Sequence, residues 1–235
     1  MNYNVLATGS TGNATIIENE ILLDCGVSFA KLKDYYKKIK LVFISHCHLD
    51  HFNKTTVKML AKKRPTLRFA VGQFLVNDLL QCGVAKKNID ILQIGTRLKY
   101  KTFSLQPLKL YHDVDNYGLR LFYGQKKVLY ATDTKTLEGI KAKNYDLYLV
   151  EANYSDEELQ ARIKEKERTG QFIYEHRVIN SHLSLEQCND FLLENMGDNS
   201  ICVYMHQHID KELKENETYQ WKRVALYAQN TRFSC

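Results

Sequence analysis

The feature that most restricts this chain is the run His46-Cys47-His48-Leu49-Asp50-His51, placed directly after the apolar stretch LVFIS at 41–45. An unbroken apolar run of that length reads as a strand buried on both faces. A chain that leaves such a strand and at once presents three histidines and an aspartate brings four metal-capable side chains to the end of a sheet. A turn there directs His46 and His48 to one cation and Asp50 and His51 to a second. Imidazole with carboxylate suits zinc, with manganese or iron as alternatives. The sequence has only eight histidines, so three within six positions argue for a metal loop over an incidental polar one.

Further candidates stand where strands end or helices begin. His112, followed by Asp113, ends FSLQPLKLY (103–111), and Asp133 follows KKVLYAT (126–132). His206 follows ICVYM (201–205) and is preferred to His208 because it is nearer the strand end. Singly, each reads as readily as a turn residue. Their weight comes from sharing the location of His46. A carboxylate such as Asp133 can bridge two cations, and a pair about 3.5–4 Å apart activates water and stabilises a leaving oxygen. His182, in NSHLSLEQC, precedes a predicted helix at 183–195. It reads as a catalytic group beside a helix start whose unpaired N–H groups attract phosphate. The bland alternative is a capping segment with Ser181 or Ser184 as the cap. Asp24 ends EILLD, where a carboxylate can orient the histidine loop or serve as a simple turn residue.

The rest of the pattern predicts an α/β fold. Strands are expected at 3–7, 14–18, 20–24, 41–45, 67–71, 89–95, 103–111, 117–124, 126–132, 145–152 and 201–205. Helices are expected at 54–63, 73–83 with Gly83 as its cap, 155–170 capped by Ser155 or Asp156, and 183–195. Strands lead helices twice, in two halves of similar make-up. That plan implies two sheets packed face to face with helices outside. No boundary divides the chain, so 1–235 is expected to be one domain; the tail after Tyr219 has no clear pattern.

Composition narrows the setting. No apolar run approaches the ~18 residues of a membrane span, and the start has no signal-peptide pattern. The six cysteines (Cys25, Cys47, Cys82, Cys188, Cys202 and Cys235) form no C-x-x-C pair. They read as reduced thiols in a cytoplasmic protein. A formal charge of +6 permits attraction of an anionic substrate without naming one.

Taken together, Asp24, the H-x-H-x-D-H loop, His112, Asp133 and His206 resemble the metallo-β-lactamase superfamily along nearly the whole chain. The resemblance implies an αββα sandwich of two mixed sheets with a dinuclear site, two Zn(2+) or Mn(2+) ions, at the sheet edges. It assigns His46, His48 and His112 to one metal, Asp50, His51 and His206 to the other, and Asp133 as the bridge. Asp50 and His182 carry the catalytic assignment, and Asp24 supports the ligands. Within the superfamily, ATGSTGN, LLDCG, SHCHLDH, YHD, ATDT, EANY and SHLSLEQ look most like the WalJ/YycJ group and the related anti-Pycsar phosphodiesterases. No β-CASP insertion is evident, which disfavours RNase J-type nucleases, and no long arm for tRNA is seen.

The expected function is therefore hydrolysis of a nucleotide phosphodiester, leaning to a cyclic nucleotide because the chain is compact. The alternative is a nucleic-acid exonuclease of the WalJ type. A thiolester hydrolase of the glyoxalase II type ranks below both. A non-catalytic binding module on a degenerate scaffold is disfavoured by the intact ligand set. The resemblance also implies a homodimer.

Overall fold

The computed structural model describes residues 1–207. His208, Cys235 and the tail after Tyr219 lie outside the described residues. β1 (Tyr3–Ala7), β2 (Ala14–Ile17), β3 (Ile21–Leu23), β4 (Leu41–Ile44), β5 (Arg68–Gly72) and β6 (Ile89–Leu92) form one sheet in that order. β1 to β3 pair antiparallel and β3 to β6 parallel. β7 (Leu98–Lys99), β8 (Phe103–Tyr111), β9 (Asp115–Tyr123), β10 (Lys126–Ala131), β11 (Leu147–Glu151) and β12 (Ile201–Met205) form the other. Here β7 to β10 are antiparallel, and β10 to β12 parallel. Each half repeats one plan, hairpins first and parallel crossovers after. Both sheets are mixed, as the resemblance implied.

The period of two along the strands builds the layers. In β4, Leu41 and Phe43 join Leu119, Leu121, Tyr130, Leu147 and Leu149 of the second sheet in a shared core. Val42 and Ile44 point the other way, to Val57 and Leu60 of α1 (Lys54–Lys63) and Leu79 of α2 (Val76–Gln81). Every residue of β4 is buried, which is why its sequence shows no alternation. β10 and β11 do the same: Leu129, Ala131, Tyr148 and Val150 pack on Cys188, Phe191 and Leu192 of α5 (Leu185–Asn195). α3 (Asp156–Thr169) and α4 (Glu175–Ser181) sit between β11 and α5 in the chain and share a small core of Leu159, Ile163, Val178 and Ile179.

Some local expectations are corrected. The helix expected over 73–83 begins as a 3-10 turn at Gln73–Leu75 and becomes α-helical only over Val76–Gln81, followed by Gly83 at φ 82°. Ser155 occupies the N-cap position of α3, but its side chain makes no capping bond. The Asp156 N–H instead donates to Glu186 Oε2 of α5 at 3.1 Å. α4 was not expected at all. Its sequence, EHRVINS, is short and rich in residues that prefer turns to helix interiors. Four cysteines, Cys25, Cys82, Cys188 and Cys202, are buried free thiols and Cys47 is exposed. No described helix is long and apolar enough to cross a membrane.

Candidate metal centre

Six strand ends deliver the site. Asp24 follows β3, Ser45 and His46 follow β4, and His112 follows β8. Asp133 lies just past β10, Glu151 closes β11 and His206 follows β12. At Asp24, Asp133 and His206 the backbone turns sharply, with φ of 55°, 56° and 52°. This left-handed region costs an L residue about 1–2 kcal/mol, and non-glycine residues held there cluster at functional sites. All three side chains are buried.

Three donor groups meet at Asp133. His46, His48, His112 and Asp133 can each place one donor atom within 4.8 Å of the others, and so can Asp50, His51, Asp133 and His206; Asp133, Glu151, His182 and His206 make a third such group that overlaps the second. Asp133 Oδ2 lies 3.2 Å from His46 Nε2 and 2.9 Å from His51 Nε2. Its Oδ1 lies 3.4 Å from His206 Nε2, while Asp50 Oδ2 is 3.2 Å from the same nitrogen. Asp133 is 1 % exposed, yet Oδ1 has no hydrogen-bond partner among the described residues. An orphaned buried carboxylate oxygen in a ring of imidazoles is what a cation would satisfy. The donor set therefore fits two metal ions sharing one carboxylate.

Electrostatics divide the imidazoles. Against the effect of burial, the Asp133 and Asp24 carboxylates raise His51, and Asp133 with Asp50 raises His206. Without metal these two therefore hold protons that a cation would displace, while His46 and His112 are lowered. Burial, then the His51 charge, pushes His46 down to about 4, so its imidazole is neutral. Burial lowers His112 as well. Burial by itself would raise the Asp50 carboxyl, but hydrogen bonds with His206 and His51 outweigh it and keep it ionised.

The supporting groups are equally specific. Asp24 is fully buried and accepts from Ser45 N at 2.7 Å, Ser45 Oγ at 2.9 Å and Tyr130 OH at 2.6 Å. Its Oδ2 also holds His51 Nδ1 at 2.6 Å, leaving Nε2 for a metal, the arrangement that fixes ligand orientation. His112 Nδ1 donates to the Ser181 carbonyl at 2.8 Å, with the same effect. The glycine-rich turn before β2 has a mechanical role that spacing did not reveal. Asn13 N donates to the Asp50 carbonyl at 2.6 Å, and Asn13 Nδ2 reaches Asp50 Oδ2 at 3.3 Å. Gly26 packs so tightly there that a Cβ would stand 1.6 Å from the Asp50 carbonyl oxygen.

His182 belongs with Asp133, Glu151 and His206 to the third donor group, while the first two groups are complete without it. Its Nδ1 is 2.6 Å from Glu151 Oε1 and 3.9 Å from Asp133 Oδ1. Glu151 is fully buried, and its Oε2 accepts from Thr134 N at 2.8 Å and Leu183 N at 3.3 Å. One carboxylate thus fixes both the turn that carries Asp133 and the loop that carries His182. Burial alone would lower His182, but the bond to and charge of Glu151, with Asp133, raise it. The expectation of unpaired N–H groups at the following helix start is corrected. Leu185 N donates to the Tyr154 carbonyl, and Gln187 N to Ser184 Oγ in a capping box. Those donors are spent on the fold, whereas His182 itself lines a cavity.

That cavity of about 320 Å3 is lined by His48, Asp50, His112, Asp133, His182 and His206, with Ser10, Asp113, Tyr174, Arg177, Val178 and Ser181. Sequence reasoning missed Glu151, Asn13, Asp113 and Arg177 as site groups. Asp113 was noted only as the neighbour of His112, and Glu151 only as part of EANY. Its place at a strand end, like that of Asp133, was the available signal.

A family model described as "Beta-lactamase superfamily domain" matches residues 19–207. The chain belongs to the metallo-β-lactamase superfamily. Family and donor set make this superfamily member a metal-dependent hydrolase. Solved structures of the same fold include the metallo-β-lactamase-fold protein YhfI from Bacillus subtilis, with a TM-score of 0.66 at 20% identity, covering 88% of this chain and 86% of that one. Human tRNase Z, short form, gives 0.62 at 16%, covering 88% and 92%. A diphosphatase from the PhnP family gives 0.63 at 12%, covering 94% and 93%. No curated protein matches the chain.

Proposed function

We propose that this hydrolase is a two-metal phosphodiesterase acting on a nucleotide, with cyclic nucleotides as the favoured class, as in the anti-Pycsar enzymes that its motifs resemble. The observation that carries this reading is the His182–Glu151 pair beside Asp133. Two cations at the donor groups would supply Lewis acidity toward a phosphoryl oxygen and a more acidic water. Zinc suits the imidazole and carboxylate donors, with manganese as the alternative. Asp50, kept ionised, and Asp133 complete the donor groups. Glu151 holds His182 at Nδ1, which leaves Nε2 to carry a proton to the leaving oxygen. A positioned acid matters for an alkoxide leaving group and much less for a thiolate, whose parent thiol has a pKa near ~8.5. That argues for an ester of phosphate over a thiolester. The cavity lies at the small end of ligand sites, which run from about 300 Å3 upward, and so suits a mononucleotide. A tRNA-processing enzyme and a diphosphatase share the fold, which is compatible with phosphate chemistry. The homodimer implied by the resemblance is part of the same proposal.

The test is a panel on zinc-loaded protein: 2′,3′- and 3′,5′-cyclic nucleotides, single- and double-stranded oligonucleotides, and a glutathione thiolester. Turnover of a cyclic nucleotide with shallow salt dependence is expected. Turnover of oligonucleotide alone, falling steeply with salt as phosphate contacts are screened, would select the exonuclease reading that a net charge of +6 permits. Hydrolysis of the thiolester only would overturn both.

A further inference from the structure

The metal donors line only part of the cavity. Another wall comes from α4 and the residue before it: Tyr174, Arg177 and Val178. We propose that Tyr174 and Arg177 form the subsite that selects a nucleoside phosphate as substrate, with Tyr174 stacking on the heterocyclic base and Arg177 holding an oxygen of the adjoining phosphate. This rests on the phosphodiesterase reading and adds to it what the far end of the substrate must be.

The Tyr174 ring is prepared for that role. Lys166 Nζ sits 3.8 Å from its centroid, a cation–π contact. The same ammonium is 2.6 Å from Glu175 Oε1, and Glu175 is 1 % exposed. A buried carboxylate therefore pins the lysine, and the lysine covers the ring. The ring still lines the cavity and remains 43% exposed. A ring held in place before the ligand arrives loses little freedom on binding, and its uncovered area meets any base without a hydrogen-bond code. Val178 beside it extends the apolar contact.

Arg177 is tied to the metal end. Its Nη2 donates to Asp113 Oδ2 at 2.5 Å, while Asp113 Oδ1 lies 3.1 Å from His112 Nε2 and 3.4 Å from His48 Nε2. The bond uses one N–H of the guanidinium and leaves the side chain 76% exposed. The remaining donors suit the oxygens of a phosphate. Metal donors at one side with a pinned aromatic ring, a valine and a tethered guanidinium at another match a nucleoside phosphate. They match a simple dialkyl phosphate poorly, since it has nothing planar to stack.

The experiment is calorimetric titration of zinc-loaded protein with adenosine and uridine 5′-monophosphates, ribose 5-phosphate and inorganic phosphate. The two kinds of sugar phosphate differ only in the base. Wild type should bind the nucleotides roughly tenfold or more tighter than ribose 5-phosphate, in the range that one base–aromatic stack supplies. Tyr174→Ala should bring that ratio to within about threefold and leave inorganic phosphate unchanged, while Tyr174→Phe keeps it. Arg177→Ala should weaken nucleotide and ribose phosphate together. Tyr174→Leu, with zinc content and thermal melting, guards against a folding defect in the alanine variant. A wild type with no preference for the base, or an undiminished preference in both Tyr174→Ala and Tyr174→Leu, overturns the proposal. Binding is read without turnover. Loss of the phosphodiesterase reading in the substrate panel is therefore a separate result from loss of this subsite.

Discussion

At the scale of single residues, the proposed mechanism divides groups that hold metal from groups that handle the proton, and the two classes predict different defects. His182→Ala should keep both metals and its fold yet lose roughly 10²–10⁴-fold in rate, the usual range for an acid or base. The loss should shrink with p-nitrophenolate as leaving group. Glu151→Gln should also keep the metals and lose about 10–100-fold, the range for a partner that orients a working group. It should move the high-pH limb of the rate profile to lower pH. An acid works while protonated, and Glu151 is what raises His182, so removing that charge makes the proton leave earlier. Metal analysis and pH–rate profiles of the two variants check this, and metal loss from His182→Ala would make that residue a ligand instead. The ligand candidates were legible in sequence because a strand end followed by His or Asp is a local pattern. Glu151 was not, because EANY names no chemistry until His182, far along the chain, is folded against it.

At the scale of elements, strands were easier to read than helices. The buried runs at 41–44 and 147–150 carry no charge because cores press on both faces, and such runs announce themselves. The apolar residues of α4, Val178 and Ile179, pack on one small cluster, so the helix needs few of them and leaves little trace. Glycines divide by what surrounds them. Gly26→Ala would drive a Cβ into the Asp50 carbonyl, which is backbone and cannot swing aside. A cost at the upper end of overpacking, on the order of 3 kcal/mol, is expected together with weaker metal binding, because the loop that must yield carries Asp50 and His51. Gly83→Ala meets nothing within 4 Å and suffers only its φ of 82°, so about 1–2 kcal/mol is expected with metal binding intact. Denaturant melts and metal titrations of the two variants separate the effects; equal metal affinities would remove the mechanical role assigned to the Gly26 contact.

At the scale of the whole molecule, the cores lie between the sheets and under the helices and are built from apolar residues rather than from the donor groups. Chelation should therefore leave a folded but less stable protein. Restoring free metal at 100 times its dissociation constant should return about 2.7 kcal/mol, and about 4.1 kcal/mol at 1,000 times. Loss of all far-ultraviolet ellipticity on chelation at ambient temperature would contradict this. The two-sheet plan was legible because the halves repeat one rhythm of hairpins and crossovers. Which strand ends meet was not, since no local signal says that the ends of β3 and β12, in different sheets, deliver residues to one site. That meeting has a consequence in time. A chain emerging from the ribosome owns the first donor group once Asp133 is made, but the second waits for His206. Synthesis between the two takes on the order of 4–15 s. The donor set for a pair of ions is therefore complete only after that interval, so binding of the pair is expected to follow synthesis of β12.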